Sequence, residues 1–188
     1  MVKLYLKAKH WQLFILMVGL PFLFQLVTVI YVIATDSPLF ALATFPIFML
    51  LYVIVFFGWF WSMGVGLHKF LPENHGLNIK KFKILFFIPL VYIVAMMFSM
   101  MYLGVFNQFP PPENMIGVSL ALIIPFHLFS IFCMFYMLYF CAKTIKSITL
   151  NRRLEFADYV GEFFLLWFYV VGIWLLQPKI NSIYSGKS

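Results

Sequence analysis

Apolar residues run along this chain in four long, nearly unbroken blocks, covering residues 11–33, 39–67, 84–104 and 115–141. Each block reaches or exceeds the ~20 residues that carry a helix across hydrocarbon. The pattern predicts an all-α fold: an integral membrane helical bundle, one domain over residues 1–188, with four transmembrane helices. The connecting turns TDSP (35–38) and NQFPPPEN (107–114) are short, so the first two spans and the last two should form antiparallel pairs. A fifth apolar run, residues 163–176, is shorter than a complete span needs and has no polar face with which to lie flat on a bilayer. Two placements lead for it, with a helix on the membrane surface as the third. A short tilted fifth span would carry Ser185 across the membrane, and a helix embedded in the bundle would leave it on the starting side.

Composition sharpens this picture. The chain is 188 residues long, 64% hydrophobic, 21% aromatic and only 10% charged, against about 25% charged residues in a soluble domain. It has too little polar surface to coat a sphere in water, and lipid is the solvent that removes the difficulty. The first apolar block is too long for a secretory signal and lacks a clear small-residue cleavage site, so it is expected to stay as the first span. Cys133 and Cys141, eight residues apart on one helix, would stand ~12 Å apart and cannot bridge each other.

The formal charge of +7 raises the question of nucleic acid, which the positions of the bases answer. Eleven of the 13 fall at Lys3, Lys7 and Lys9, at Lys69, Lys80, Lys81 and Lys83, and at Lys143, Lys146, Arg152 and Arg153, whereas the two turns contain neither Lys nor Arg. This is the positive-inside distribution. It places the N-terminus and the 68–83 loop in the cytoplasm, as expected of a multi-pass membrane protein. The bases then meet anionic headgroups, and no nucleic-acid partner is expected.

The phrases FFGWFWSMGVGLHKFLPENHGLNIKKFKILFFIPLVY and GEFFLLWFYVVGIWLLQPKIN resemble segments of a family of uncharacterised bacterial multi-pass membrane proteins in which a GIW-x-x-QP-x-IN ending recurs. The resemblance covers about a third of the chain. It implies no activity and suggests only that the C-terminal segment belongs to the fold. In size and span count alone the chain also resembles small membrane accessories of bacterial antiviral systems, without a motif in common.

Catalytic signatures such as H-E-x-x-H, G-x-S-x-G and a P-loop are missing from the sequence, and an enzyme is not expected. The polar residues inside the spans carry what chemistry there is. Counted from the basic end at 1.5 Å per residue, Gln25 and His127 lie ~21 Å deep and Tyr52 and Ser99 ~22 Å. The four are expected to form one midplane polar layer, either as interhelical packing bonds or as a proton or substrate site around His127. Each span also carries a proline, Pro21, Pro46, Pro89 or Pro125, of which Pro21 and Pro125 bracket that level. Gly58, Ser62 and Gly66 recur every four residues and predict a helix-packing seam, used within the monomer or between copies. Glu155, Asp158 and Glu162 share one helical face, either solvated or a docking strip for a basic partner, with Arg152 and Arg153 beside them. His10 and His68 fall at one depth, the least that a haem would require. No other residue supports haem, and no cofactor or metal is expected.

Two functions of different class follow. The first is a non-enzymatic subunit or accessory of a membrane assembly, acting in the lipid bilayer by self-association or with a membrane-protein partner. The second is a transporter or channel using the layer around His127.

Overall fold

The structure, a computed structural model, describes residues 1–36, 39–73, 75–105, 113–152 and 154–186. Residues 37–38 and 107–112 of the two connecting turns, and Arg153, lie outside the described residues.

All described elements are helical. Helix α1 (Val2–Lys7) is followed by α2 (His10–Phe14), which runs through a π-helical turn (Ile15–Gly19) into α3 (Leu20–Thr35). Helix α4 (Leu39–Trp61) ends in a second π turn (Ser62–Gly66), and α5 (Ile79–Val105) and α6 (Glu113–Leu150) form the next pair. The chain closes with α7 (Phe156–Trp167) and α8 (Tyr169–Ser185). Four stretches are long and apolar enough to cross a membrane: His10–Thr35, Thr44–Phe70, Ile79–Ser99 and Ile123–Leu150. This agrees with the four blocks read from the sequence.

The ends differ from that reading where packing overrides composition. Helix α6 does not stop at Cys141, before the first lysine, but runs to Leu150 and ends where Asn151 turns into the left-handed region at φ 48°. It continues because Ala142, Ile145 and Ser147 on its last turns are completely buried. The residues before the first span also fold into the bundle. Helix α1 lies antiparallel along the foot of α4, its Tyr5 hydroxyl donating to the Ile54 carbonyl at 3.2 Å and its Val2 and Leu6 packing on Gly66.

The C-terminal run is a helical hairpin whose arms share one end of the bundle. Helix α7 climbs beside α6, with Tyr159 against Tyr139 and Trp167 against Phe135. The chain reverses at Phe168, and α8 descends until Tyr184 meets Phe70 of the 68–70 turn. The reversal leaves its backbone paired. The Phe168 N–H donates to the Phe164 carbonyl at 2.8 Å, and the Val171 and Gly172 N–H groups both reach the Phe168 carbonyl. In hydrocarbon an unpaired amide costs several kcal/mol, so such a turn persists only when closed in this way.

The core is concentrated at the basic end. Trp59, Phe60, Met63, Phe82, Phe140 and Ile145 are buried there, joined by Leu166, Ile173 and Ile180 of the hairpin. Toward the opposite end α3 and α6 expose Phe22, Val27 and Ile33, and Phe126, Leu128 and Phe132. A row of exposed apolar side chains at those helical positions is the surface of a membrane protein in lipid.

Candidate functional site

The polar chemistry of the described residues gathers where the hairpin meets the bundle. Gln177, completely buried on α8, accepts from the Trp59 indole N–H at 2.9 Å and donates to the Tyr5 and Ala8 carbonyls at 2.8 and 2.9 Å. Asn181, one turn further on, donates to the same Ala8 carbonyl at 3.1 Å. Those carbonyls are available because the chain leaves helical geometry at Ala8 (φ −60°, ψ 142°), which strips them of their intrahelical donors. The i, i+4 pair Gln177 and Asn181 thus clamps the break between α1 and α2.

The GIW-x-x-QP-x-IN phrase therefore acquires a physical reading residue by residue. A Cβ on Gly172 would collide with the Leu165 carbonyl oxygen, so only glycine permits the tight reversal. Ile173 and Ile180 are completely buried, and Trp174 packs tilted against His10 and edge-on to Phe14, at 4.7 and 5.4 Å between ring centres. Gln177 and Asn181 supply the clamp.

A buried acid pins the other face of the hairpin. Glu162 on α7 accepts from Lys146 of α6 at 3.1 Å and from Lys179 of α8 at 2.9 Å, with its side chain 9% exposed. Burial disfavours a lone carboxylate, and two ammonium groups on one oxygen offset that cost. At the start of α7, Asp158 accepts from the Glu155 N–H at 2.9 Å and pairs with Arg152 at 2.6 Å. The backbone bond first, and the guanidinium second, hold the Asp158 carboxyl below its ordinary range. The strip Glu155, Asp158 and Glu162 is thus not one free acidic face. Its third member is buried and ion-paired, and its second caps the helix it belongs to.

The seam Gly58, Ser62 and Gly66 receives α1. A Cβ on Gly58 would stand 2.6 Å from the Tyr5 ring, and one on Gly66 2.6 Å from Val2. Ser62 is buried and turns its hydroxyl back to the Gly58 carbonyl at 2.7 Å. The seam is filled within the monomer, by a segment too short and too lysine-rich to have been read as part of the bundle.

The four residues expected at midplane have different surroundings. Gln25 is exposed on α3, and Ser99 returns its hydroxyl to the Ala95 carbonyl of its own helix at 2.9 Å. His127 meets the Tyr92 hydroxyl at 3.3 Å on an exposed part of the α5–α6 pair. Tyr52 instead pairs with Tyr169 at the tip of the hairpin. Equal depth along separate helices says nothing of azimuth, and azimuth decides which side chains meet. His10 packs on Trp174 and His68 on His75, so the two histidines weighed for haem have separate ring partners. Among the described residues no three His, Cys, Asp or Glu side chains are placed to hold a metal ion. Cys133 and Cys141 are buried and free, in keeping with packing roles.

The Tyr52–Tyr169 pair borders a lateral cavity of about 350 Å³. It is lined by Tyr52 and Phe56 of α4, Met134 and Leu138 of α6, and Trp167 and Tyr169 of the hairpin tip. Ile131 and Trp167, 38% and 46% exposed, stand at its mouth. The sequence held weak signals for the clamp, namely polar Gln177 and Asn181 within an apolar segment and a lysine 17 residues after Glu162. It held none for the cavity, which exists only because the hairpin stops halfway along α6. Compared with models of protein families, with curated proteins and with solved structures, the chain has no match.

Proposed function

We propose that the chain is a non-enzymatic subunit or accessory of a membrane assembly, working by association of its outer helix segments with a second copy or another membrane protein. The observation that carries this reading is the unequal packing of the bundle. Only 17% of the most apolar stretch of His10–Thr35 and 22% of that of Ile79–Ser99 is buried, against 44% for Thr44–Phe70. The buried polar groups at the basic end, Gln177 and Glu162, hold the hairpin and α1, a use that supports a non-enzymatic reading. The positive-inside distribution supports a cytoplasmic basic end and a bacterial inner-membrane location.

Purification in mild detergent followed by mass measurement tests the reading. A discrete oligomer or a stoichiometric membrane-protein partner is expected, with cysteines placed at Val27 or Ile30 forming crosslinks across the contact. A lone monomer at every detergent concentration, with no crosslink in the membrane, overturns it.

The contact between Tyr92 and His127 favours a second reading, passage of a proton or ion at that pair. An imidazole can take up and release a proton through its two ring nitrogens, and neither glutamine nor leucine replaces it. In proteoliposomes this reading requires a pH-dependent flux that vanishes in both His127→Gln and His127→Leu. Absence of flux from the native protein removes it.

A further inference from the structure

We infer that the seam between α6 and α7 is a phospholipid site, with one acyl chain seated in the lateral cavity and the phosphate held at Lys143. Three features of the molecule lead there. The cavity opens sideways at Ile131 and Trp167, at a level where the helix exteriors are apolar, so its occupant comes from hydrocarbon rather than water. Its volume of about 350 Å³ falls within the roughly 300–1,000 Å³ typical of ligand sites.

Two groups of aromatic side chains then mark the seam from the cavity toward the basic end. Trp167 packs on Phe135 at 4.6 Å, Phe163 stays within 6.4 Å of Phe135, and lower down Tyr159 faces Tyr139 at 5.6 Å between centres. At its foot stands Lys143, whose ammonium reaches the Tyr139 hydroxyl at 3.2 Å and lies over the Tyr139 and Tyr159 rings. Its neighbour Lys146 is committed to Glu162, whereas among the described residues Lys143 has no carboxylate partner. A lysine stem laid on aromatic rings with its charge at their edge is suited to a headgroup phosphate.

The dimensions agree. Along α6, Phe135 is ~12 Å and Ile131 ~18 Å from Lys143 at 1.5 Å per residue. Half of a ~30 Å hydrocarbon core is about 15 Å. A chain whose phosphate rests at Lys143 thus ends inside the cavity, beside the Tyr52–Tyr169 pair. The hairpin creates the site by stopping at midplane, since a fifth complete span would cover the opening.

The test uses the full chain reconstituted in vesicles containing a phospholipid with a photoactivatable diazirine at the end of one acyl chain, with the adducts mapped by mass spectrometry. The expected result is several-fold enrichment of adducts at Tyr52, Met134 and Leu138 over the exposed positions Phe126 and Ile30. Ile131→Trp, which plugs the mouth from an exposed position, should abolish the enrichment, and Lys143→Gln should reduce it several-fold. Adducts spread evenly over the exposed faces overturn the proposal, as does enrichment that survives Ile131→Trp. Enrichment unchanged in Lys143→Gln overturns the phosphate contact. The native distribution decides the matter even where a variant fails to fold.

Discussion

Gly172 and Gln177 show how far single side chains govern the C-terminal third of the molecule. At Gly172 the obstacle to a side chain is the Leu165 carbonyl of the facing arm, which cannot swing aside as a flexible side chain can. Gly172→Ala should therefore destabilise the fold by about 3 kcal/mol, the upper part of the range for overpacking, whereas Gly161→Ala, with open space around it, should be nearly neutral. Thermal unfolding in detergent compares the two. Gln177 has a different office, since it alone serves one donor and two acceptors. Gln177→Leu strands the Trp59 N–H and the Tyr5 and Ala8 carbonyls, with Asn181 left to serve Ala8. At the modest ~0.6 kcal/mol average for a membrane hydrogen bond the loss is about 2 kcal/mol. Its signature is earlier proteolysis within residues 1–9, because α1 loses its clamp before the bundle melts.

Among the elements, the hairpin is the one whose stability depends on charge. Glu162 joins three helices through Lys146 and Lys179, so Glu162→Gln leaves two ammonium groups facing each other across a buried amide. Removing one partner of a wholly buried pair costs roughly 3–5 kcal/mol. Both lysine side chains are partly exposed, at 25% and 30%, which brings the expectation down to about 2 kcal/mol. Hydrogen exchange read at α7 and α8 should rise while that of α5 stays fixed. Asp158 contributes with a defined sign. Its carboxyl is held below the ordinary 3.8, so its cap on α7 is fully present above that pH and is lost as pH falls through the lowered value. Asp158→Asn should flatten this part of the acid sensitivity by lowering stability at neutral pH toward the level the native chain reaches in acid.

At the scale of the whole molecule, the hairpin returns the C-terminus to the end where the 68–70 turn and the start of α5 lie, Tyr184 touching Phe70 and Lys69. Single cysteines at Ser185 and Asn78 should therefore be labelled from the same side of sealed vesicles, and one at Asp36 from the other. Opposite labelling of Ser185 and Asn78 would require a fifth complete span and would remove both the hairpin and the lateral cavity. The same arrangement explains the uneven packing of the bundle. Helix α1 and the hairpin add three helical segments to the basic end and nothing to the other, so the outer halves of α3, α5 and α6 are left to lipid or to a partner.

The amino-acid sequence by itself determined the solvent and the four helices long enough to span it. Unbroken apolar blocks of span length and bases confined to alternate loops are local properties, and each survives any rearrangement of the helices against one another. The glycine–serine seam was legible in the same way, because a four-residue repeat stays on one face wherever the helix is placed. Tertiary structure alone decided what those faces meet. That α1 fills the seam, that Glu162 finds two lysines rather than water, and that Ser99 and His127 find separate partners while Gln25 stays exposed depend on the rotation of each helix about its axis. In a chain apolar all round its helices, no hydrophobic stripe records that rotation. The fate of the fifth apolar run was equally hidden. A run shorter than a span fits a tilted crossing or a hairpin, and the choice rested on Gly172 meeting the Leu165 carbonyl and Gln177 meeting α1, contacts that exist only once the chain has folded back on itself.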